Sequence, residues 1–263
     1  MDRQAPIKGL TVDGVKVKIY KSKEALGVAA AARAADCLRR AIAERGEANI
    51  ILATGASQYE FLDALREEHG INWSVVTAFH LDEYLGLSDQ HPASFRRYLR
   101  ERVFDHLRFR AVHLLEGDAP DPEAECGRYG ALLAARTIDL ACVGIGENGH
   151  LAFNDPPADF DSPNLVNIVD LDEACRRQQI GEGHFARLED VPRRALSLSI
   201  PAILAAQMIS CVVPDLRKAQ AVRCSLQGPI SPQCPGSALR MHDEVYLYLD
   251  TDSASSLGES SDD

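Results

Sequence analysis

The sequence predicts an α/β protein in which a mostly parallel sheet is covered by helices on both faces, as a modified Rossmann-like single domain. Short apolar runs alternate with helical patterns along nearly the whole chain. Such alternation is typical of parallel strands joined by crossover helices. The chain has 263 residues, 46% of them hydrophobic and 25% charged, so it can bury a sizeable core without a disulfide or a metal.

Eight apolar runs have the length and composition of strands. They are VKVKIY (15–20), NIILATG (49–55), VVTAF (75–79), AVHLL (111–115), IDLACVGIG (138–146), RALSLSI (194–200), MISCVVP (208–214) and VYLYLD (245–250). Between them lie five helix candidates, at about 24–45, 57–69, 92–107, 121–136 and 215–227. The second helix opens with Ser57 and has Glu60 three residues later, which predicts a capping box.

Two segments fall outside this pattern. Residues 155–190 are polar and irregular, and a loop of that length is often functional, so the segment is a candidate lid over a site. Residues 252–263 are small, polar and acidic, and they predict a disordered tail. The predicted domain therefore spans residues 1–251 and the tail residues 252–263.

The overall charge restricts the partners of the chain. The formal net charge is −11, which argues against nucleic acid or an anionic membrane as a partner but not against a small anionic substrate. Seven scattered cysteines without a Cys-x-x-Cys pair favour reduced thiols in the cytoplasm rather than metal or catalytic roles. The N-terminus lacks the apolar stretch of a signal peptide, and no run approaches the roughly 20 apolar residues of a membrane span.

Three polar clusters follow predicted strands, and open α/β sheets bind ligands beyond the carboxyl ends of their strands. The first cluster is the turn ATGAS at 53–57, between a strand and a helix N-terminus. Backbone N–H groups there suit an anion, and Thr54 and Ser57 add hydroxyl donors. The alternative is that Gly55 and Ser57 serve only the geometry of the turn.

The second cluster contains the adjacent carboxylates Asp82 and Glu83. Neighbours on an extended chain point to opposite sides, so we expect one to face the crevice and the other to be structural or solvated. The third cluster is GIGENGHLAFNDPP at 144–157, where His150 has several amide and carboxyl neighbours: Glu147, Asn148, Asn154 and Asp155. Such neighbours can hold a histidine in one tautomer for proton transfer, although a lone histidine is usually structural.

At these clusters the sequence resembles the glucosamine-6-phosphate deaminase/isomerase family, which shares its fold with 6-phosphogluconolactonase. The resemblance runs from about residue 10 to 250 and is most specific in FHLDEYLGLSDQHPASF (79–95) and IDLACVGIGENGHLAFNDP (138–156). It implies an enzyme that opens the ring of an amino-sugar phosphate and isomerises it with loss of ammonia. It implies no metal and no organic cofactor.

The resemblance also implies roles for named residues. Asp82 matches the base that moves a proton from C2 towards C1, and His150 the residue that exchanges a proton during ring opening. Asn148 and Asp155 match the positions that orient this histidine. Phosphate recognition is expected at the first cluster and at a basic residue further along the chain, which are Thr54, Gly55, Ser57 and Lys218.

The sequence departs from the family pattern at four points. Asn148 stands where many members have Asp. Asp155 replaces the more usual Glu, and the missing methylene is expected to pull a direct contact with His150 back by about 1.5 Å unless a water or a small loop shift compensates. Ala56 removes one hydroxyl donor from the turn. Finally, the phosphate-binding arginine of the family has no match, because Glu182 aligns near it and the candidate substitutes are Arg176, Arg177 and Arg187.

Three other functions stay open at this stage. A lactonase would use the same turn and histidine with water as the nucleophile. A sugar-phosphate-sensing domain would bind without turnover, although the short segment before the first strand leaves no room for a DNA-binding helix-turn-helix. A deaminase of another amino-sugar phosphate would keep the chemistry and change the sugar. The sequence does not indicate whether the chain forms a homo-oligomer.

Overall fold

The computed structural model describes residues 5–258, and within this range it forms two sheets and seven α-helices. The strands are β1 (Lys8–Val12), β2 (Val15–Tyr20), β3 (Ala48–Leu52), β4 (Val76–His80), β5 (Asp82–Tyr84), β6 (Ala111–His113), β7 (Leu140–Val143), β8 (Val166–Asp170), β9 (Arg194–Leu198), β10 (Met208–Val213) and β11 (Val245–Asp250). The helices are α1 (Lys23–Arg45), α2 (Tyr59–Arg66), α3 (Phe95–Leu99), α4 (Pro122–Ala134), α5 (Glu173–Gly181), α6 (Ile200–Leu204) and α7 (Ala219–Gln227).

The main sheet has eight strands in the order β1-β2-β11-β10-β7-β3-β4-β6. All neighbouring pairs are parallel except β1 and β2, which form an antiparallel hairpin at one edge. The predicted mostly parallel sheet is therefore confirmed. Strand β1 was not predicted, because KGLTV is short and only partly apolar.

Helices cover both faces of this sheet, as predicted. Alternate residues of β3 belong to two separate cores: Ile51 packs in one, and Ile50 and Leu52 pack in the other. The first core contains residues of α4, α6 and α7, and the second contains residues of α1 and α2. Because β3 is buried on both sides, its sequence ANIIL is apolar at nearly every position.

A second, antiparallel sheet of three strands lies over the carboxyl ends of the main one, in the order β5-β9-β8. Strand β5 begins two residues after β4 ends, and Asp82 pairs with Ser197 of β9. The run at 194–200 is thus a strand as predicted, but it belongs to this small sheet. The segment 155–190, predicted to be irregular, contains β8 and α5, so it is partly regular structure rather than one long loop.

Two local predictions need correction. The helix expected from 57 begins as a single 3-10 turn, Ala56–Gln58, and α2 follows it with Gln58 as N-cap and no side-chain cap, so Ser57 does not form the predicted capping box. Residues 252–256 of the predicted tail form turns, with Ser253 fully buried and Leu257 packed against the core. The remaining tail residues, 259–263, lie outside the described residues. Among the described helices, none is long and apolar enough to span a membrane.

Candidate active site

A crevice opens at the carboxyl ends of β3, β4, β7 and β10, at the edge where the sequence predicts a site. Its lining includes six of the eight predicted site residues: Thr54, Gly55, Ser57, Asp82, His150 and Lys218. The other two, Asn148 and Asp155, contact His150 from behind. The lining also includes residues that were not predicted to take part, among them Phe95, Phe153, Gln178, Gln179 and Glu182.

The turn after β3 presents backbone and hydroxyl groups to the crevice. Gly55 has a φ of 93°, a left-handed conformation that suits glycine, and it leads into the turn Ala56–Gln58. The first N–H groups of such a turn have no partner within the helix. Ser57 Oγ accepts a hydrogen bond of 3.0 Å from Gln58 Nε2, so its own proton stays available for a ligand. The Tyr98 hydroxyl donates to Gly55 O at 2.9 Å and fixes the turn.

Asp82 lies at the start of β5, where the chain leaves the main sheet and enters the small one. The residue is only 6% exposed, and its Oδ1 has no hydrogen-bond partner among the described residues. Burial, and to a lesser extent the negative charge of Glu83, raises the pKa of Asp82 to about 8. The side chain is therefore a desolvated acid that faces the crevice with one unused oxygen.

Glu83 points to the other side of β5 and does not line the crevice. Its two carboxylate oxygens accept five hydrogen bonds. The donors are the Ser94 hydroxyl, the backbone N–H groups of Tyr84, Phe95 and Arg96, and the Arg96 guanidinium. Burial nevertheless raises its pKa. The predicted division of the pair is confirmed: Asp82 faces the crevice, and Glu83 anchors the start of α3.

His150 is held from the loop after β7. The ring packs so closely on Gly146 that a Cβ atom there would lie 2.2 Å from ring atoms, so this position needs glycine. Ring Nδ1 lies 3.0 Å from Asp155 Oδ1. The contact is not lengthened, because the loop holds the shorter aspartate side chain within hydrogen-bond distance, which is one of the two compensations expected from the sequence.

Asn148 and Asp155 form one network behind His150. Asn148 accepts a hydrogen bond from the His150 backbone N–H at 3.1 Å, and its amide donates to Asp155 Oδ1 at 2.9 Å. The same amide donates at 3.0 Å to Asp172, whose N–H donates in turn to Asp155 Oδ2. Burial alone would raise the pKa of Asp155, but the hydrogen bonds from His150 and Asn148 outweigh it and lower the pKa. Asp172 is the N-cap of α5, and the sequence gives no sign of its second role.

Lys218 lies at the far end of the crevice, in a turn after β10. It is 3% exposed, and its backbone N–H donates to Asp215 O, but its ammonium group makes no hydrogen bond or ion pair within residues 5–258. Burial lowers its pKa, although Glu182 and Glu147 oppose this shift. The positive charge of this buried lysine is the feature of this end of the crevice that suits an anion.

Glu182 lines the same end, and none of the three candidate arginines does. Burial by itself raises the pKa of Glu182, but His184 Nε2 at 3.6 Å from Oε2, the charge of Lys218 and a hydrogen bond from Gln178 lower it to about 2. Two of the arginines make contacts within the segment 172–191. Arg176 donates to the Leu188 and Val191 carbonyls, and Arg187 pairs with Asp190. The third, Arg177, pairs with Glu173 on the exposed face of α5. The expectation that one of them replaces the missing phosphate arginine is therefore wrong.

Three side chains beside the crevice have the donor atoms of a metal site. Ligand atoms of His150, Asp155 and Cys175 lie within 4.8 Å of one another. However, Asp155 Oδ1 already accepts a hydrogen bond of 2.9 Å from Asn148 and lies 3.0 Å from His150 Nδ1. His150 and Asp155 therefore belong to the hydrogen-bond network behind the crevice, and the Cys175 thiol lies beside that network.

Comparisons with known proteins agree with this geometry. The sequence profile of the family described as glucosamine-6-phosphate isomerases/6-phosphogluconolactonase matches residues 21–247. The glucosamine-6-phosphate deaminase of Exiguobacterium sp. (strain ATCC BAA-1283 / AT1b) is 38% identical over 209 residues, 80% of each chain. That of Bacillus cereus (strain B4264) is 38% identical over 208 residues, 79% of this chain and 78% of the relative.

Two solved structures show the same fold. A monomeric glucosamine-6-phosphate deaminase superposes with a TM-score of 0.84 at 33% identity, covering 92% of this chain and 99% of the other. A 6-phosphogluconolactonase from Shewanella baltica superposes with a TM-score of 0.75 at 21% identity, covering 94% and 100%. The second likeness, at this low identity, concerns the fold alone.

Proposed function

The chain belongs to the family of glucosamine-6-phosphate isomerases and 6-phosphogluconolactonases, and we propose that it acts as a glucosamine-6-phosphate deaminase. The reaction converts glucosamine 6-phosphate and water to fructose 6-phosphate and ammonia. One observation supports this function above the others. The buried, unpartnered carboxyl of Asp82 lies in the same crevice as a histidine that Asp155 holds in place.

We assign the proton transfers to Asp82 and His150. His150 exchanges a proton with the ring oxygen or O1, so that the sugar opens to the aldehyde. Asp82 in its ionised form then takes the proton from C2 and returns it to C1. This shift converts the amino aldehyde to an enolamine and then to an imine at C2, which water hydrolyses to the ketone and ammonia. A desolvated carboxylate suits the first transfer, because its raised pKa makes it a stronger base.

Asn148 and Asp155 act as positioning residues in this proposal. Their hydrogen bonds fix the His150 ring and leave its second nitrogen for the substrate. We assign the phosphate to Thr54, Gly55 and Ser57. The turn offers N–H and hydroxyl donors, and the buried charge of Lys218 faces the same space.

A lactonase or a sensor explains these features less well. Lactone hydrolysis needs one base for water, which His150 alone could provide, and it leaves the unpartnered oxygen of Asp82 without a task. A sensor that binds without turnover needs neither the Asp82 carboxyl nor the His150 imidazole for catalysis. The relatives at 38% identity are deaminases, whereas the lactonase resembles the chain only in fold. A different amino-sugar phosphate remains an outcome of the test.

For the cellular setting we propose a cytoplasmic enzyme that works on a small sugar phosphate and not on nucleic acid. All seven cysteines are free thiols, which suits a reducing compartment. The related deaminase of known structure is described as monomeric. Whether this chain forms a homo-oligomer can be measured by light scattering during purification.

The first test measures ammonia release from glucosamine 6-phosphate, beside a 6-phosphogluconolactone hydrolysis assay on the same sample. Ammonia and fructose 6-phosphate in equal amounts are expected from the natural chain, and neither from Asp82→Asn. Asp252→Asn is the matched control, because that aspartate is exposed and lies outside the crevice. Lactone hydrolysis without ammonia would contradict the deaminase assignment. Ammonia from another amino-sugar phosphate alone would keep the reaction and change the substrate.

A further inference from the structure

Glu182 places a buried carboxylate at the end of the crevice to which the phosphate is assigned. Its side chain is only 5% exposed, and it lines the crevice together with Ser57 and Lys218. Oε1 accepts a hydrogen bond of 2.8 Å from the side-chain amide of Gln178. Oε2 lies 3.5 Å from the point where a Cβ atom on Gly55 would stand. A carboxylate oxygen therefore lies against the turn that is expected to receive a phosphate.

The charged groups around Glu182 come from three segments. On its own segment, His184 Nε2 lies 3.6 Å from Oε2. From the turn after β10, Lys218 contributes its charge, and a guanidinium nitrogen of Arg217 lies 3.9 Å from Oε1. Arg217 also lies 3.5 Å from Glu147 of the loop after β7, so its charge is shared between two carboxylates.

The remaining titratable groups near Glu182 are the phenols of Tyr84 and Tyr98. Burial raises the pKa of both well above the ordinary value, so both are neutral at pH 7. Each hydroxyl donates to a group other than Glu182. With one buried lysine set against one buried carboxylate, this end of the crevice is close to neutral across the described residues. A phosphate ester, which carries about −1.5 to −2 at pH 7, would thus enter beside a like charge.

We propose that Glu182 is a specificity-determining residue that makes phosphate binding take up one proton, shared between its carboxylate and a phosphate oxygen. This inference rests on the proposed function, since it requires the phosphate at the turn 54–57. The proton comes from the solvent, and the only new link is an O–H···O hydrogen bond. Such a bond to an ionised partner is short and strong. A Glu182 carboxylate and a phosphate oxygen in direct contact would otherwise repel each other, as two carboxylates that share one site do.

The proton arrives with the ligand, because Glu182 is ionised in the free protein. At low pH a phosphate monoester already carries its own second proton, whose pKa is about 6, and nothing needs to be taken up. Above that pH the ligand is a dianion, and binding must draw one proton from the solvent. Affinity for the phosphate therefore falls as pH rises, and a neutral side chain at position 182 removes this dependence.

Calorimetric titration with glucitol 6-phosphate tests the proposal without turnover, because this sugar alcohol has no carbonyl group to react. Heats measured in buffers of different ionisation enthalpy give the number of protons taken up. For the natural chain we expect about one proton per ligand near pH 8, and a Kd that rises about tenfold per pH unit above about 6.5. For Glu182→Gln we expect no uptake and a Kd near pH 8 at least about tenfold lower.

Controls separate this proposal from a loss of folding and from the proposed function. Glutamine matches the shape of glutamate, and Glu189→Gln on an exposed, ion-paired glutamate should behave as the natural chain does. Binding by the natural chain near pH 8 without proton uptake, or unchanged uptake in Glu182→Gln, would overturn the role of Glu182. Ammonia release is measured on the same samples. Ammonia without proton uptake rejects this inference alone, whereas proton uptake without ammonia rejects the deaminase function alone.

Discussion

The carboxylates of Asp82 and Glu83 point to opposite sides of β5 and have opposite environments. Asp82 Oδ1 has no partner among the described residues, whereas both oxygens of Glu83 accept hydrogen bonds. Burial raises the pKa of both side chains. The unpartnered oxygen leaves Asp82 open to a substrate, while Glu83 is committed to the fold, and this difference can be tested one residue at a time.

Asp82→Asn should make the protein more stable while it removes activity. The pKa of Asp82 is raised from 3.8 to about 8 in the folded chain. The stability contributed by its protonated form is complete below pH 3.8 and is lost as pH rises through about 8. Asparagine cannot ionise, so the free energy of unfolding of Asp82→Asn should exceed that of the natural chain by an amount that grows between pH 3.8 and about 8, up to about 5 kcal/mol. Urea unfolding of both proteins near pH 5 and pH 8 measures it.

The control for this prediction is the exposed Asp252→Asn, which should leave the free energy of unfolding unchanged at both pH values. An Asp82→Asn protein that is less stable than the natural chain near pH 8 would show that the carboxylate is stabilised by contacts rather than strained by burial.

Glu83→Gln should destabilise the fold. The exchange removes the charge that pairs with Arg96 at 3.3 Å and turns an acceptor oxygen into an amide donor opposite backbone N–H groups. Breaking a buried ion pair from one side costs about 3–5 kcal/mol. Chemical denaturation at neutral pH should show a loss of this size, and a change below about 1 kcal/mol would mean that Glu83 does not anchor α3.

His150→Gln should leave the fold intact and lower turnover by roughly 10²–10⁴, the usual contribution of a general acid–base group.

Asp155→Asn should lower kcat with little change in KM, because it acts only through the position of His150. Asp155→Glu should restore part of the activity, since it returns the carboxylate. Equal losses in both Asp155 variants would argue for a purely structural role, as would an unchanged rate in His150→Gln.

Lys218→Ala should mainly raise the half-saturation concentration, by about tenfold to a hundredfold, because a hydrogen bond to a charged group contributes about 1.5–3 kcal/mol. Its kcat should change little, since Lys218 is assigned to the phosphate and not to the reacting carbons. Arg223→Ala, on the exposed side of α7, is the control. A fall in kcat alone would contradict the assignment of Lys218 to the phosphate.

The sequence was informative wherever packing imposes a pattern. The runs that form β3, β7 and β10 are apolar because both faces of the main sheet are covered. Since the carboxyl ends of parallel strands meet at one edge, Asp82 and His150 could be expected to converge with the turn at 53–57 although they lie far apart in the chain, and the family resemblance added Lys218. The structure confirms this convergence.

The segment 155–190 was not predictable in the same way. Strand β8 is a partly exposed edge strand, and α5 is mostly polar, so neither shows a clear apolar period. Gln178 and Glu182, which reach the crevice from this segment, were therefore not recognised by pattern. The capping box failed for a different reason: Ser57 lies within a 3-10 turn, one residue before the N-cap.

The pH dependence of the reaction should show a titration near pH 8. Asp82 must be ionised to take the C2 proton, so kcat/KM for ammonia release by Glu182→Gln should rise with pH and level off above about 8, where the pKa of Asp82 lies. This variant isolates the effect of Asp82, because its phosphate binding takes up no proton, whereas in the natural chain the loss of phosphate affinity above about pH 6.5 should offset the rise. The amino group of the substrate also titrates near about pH 8, so its own titration is measured separately and divided out. A corrected Glu182→Gln profile that is flat between about pH 6 and 9 would mean that Asp82 ionises at an ordinary aspartate pKa, and that its burial does not strengthen the base.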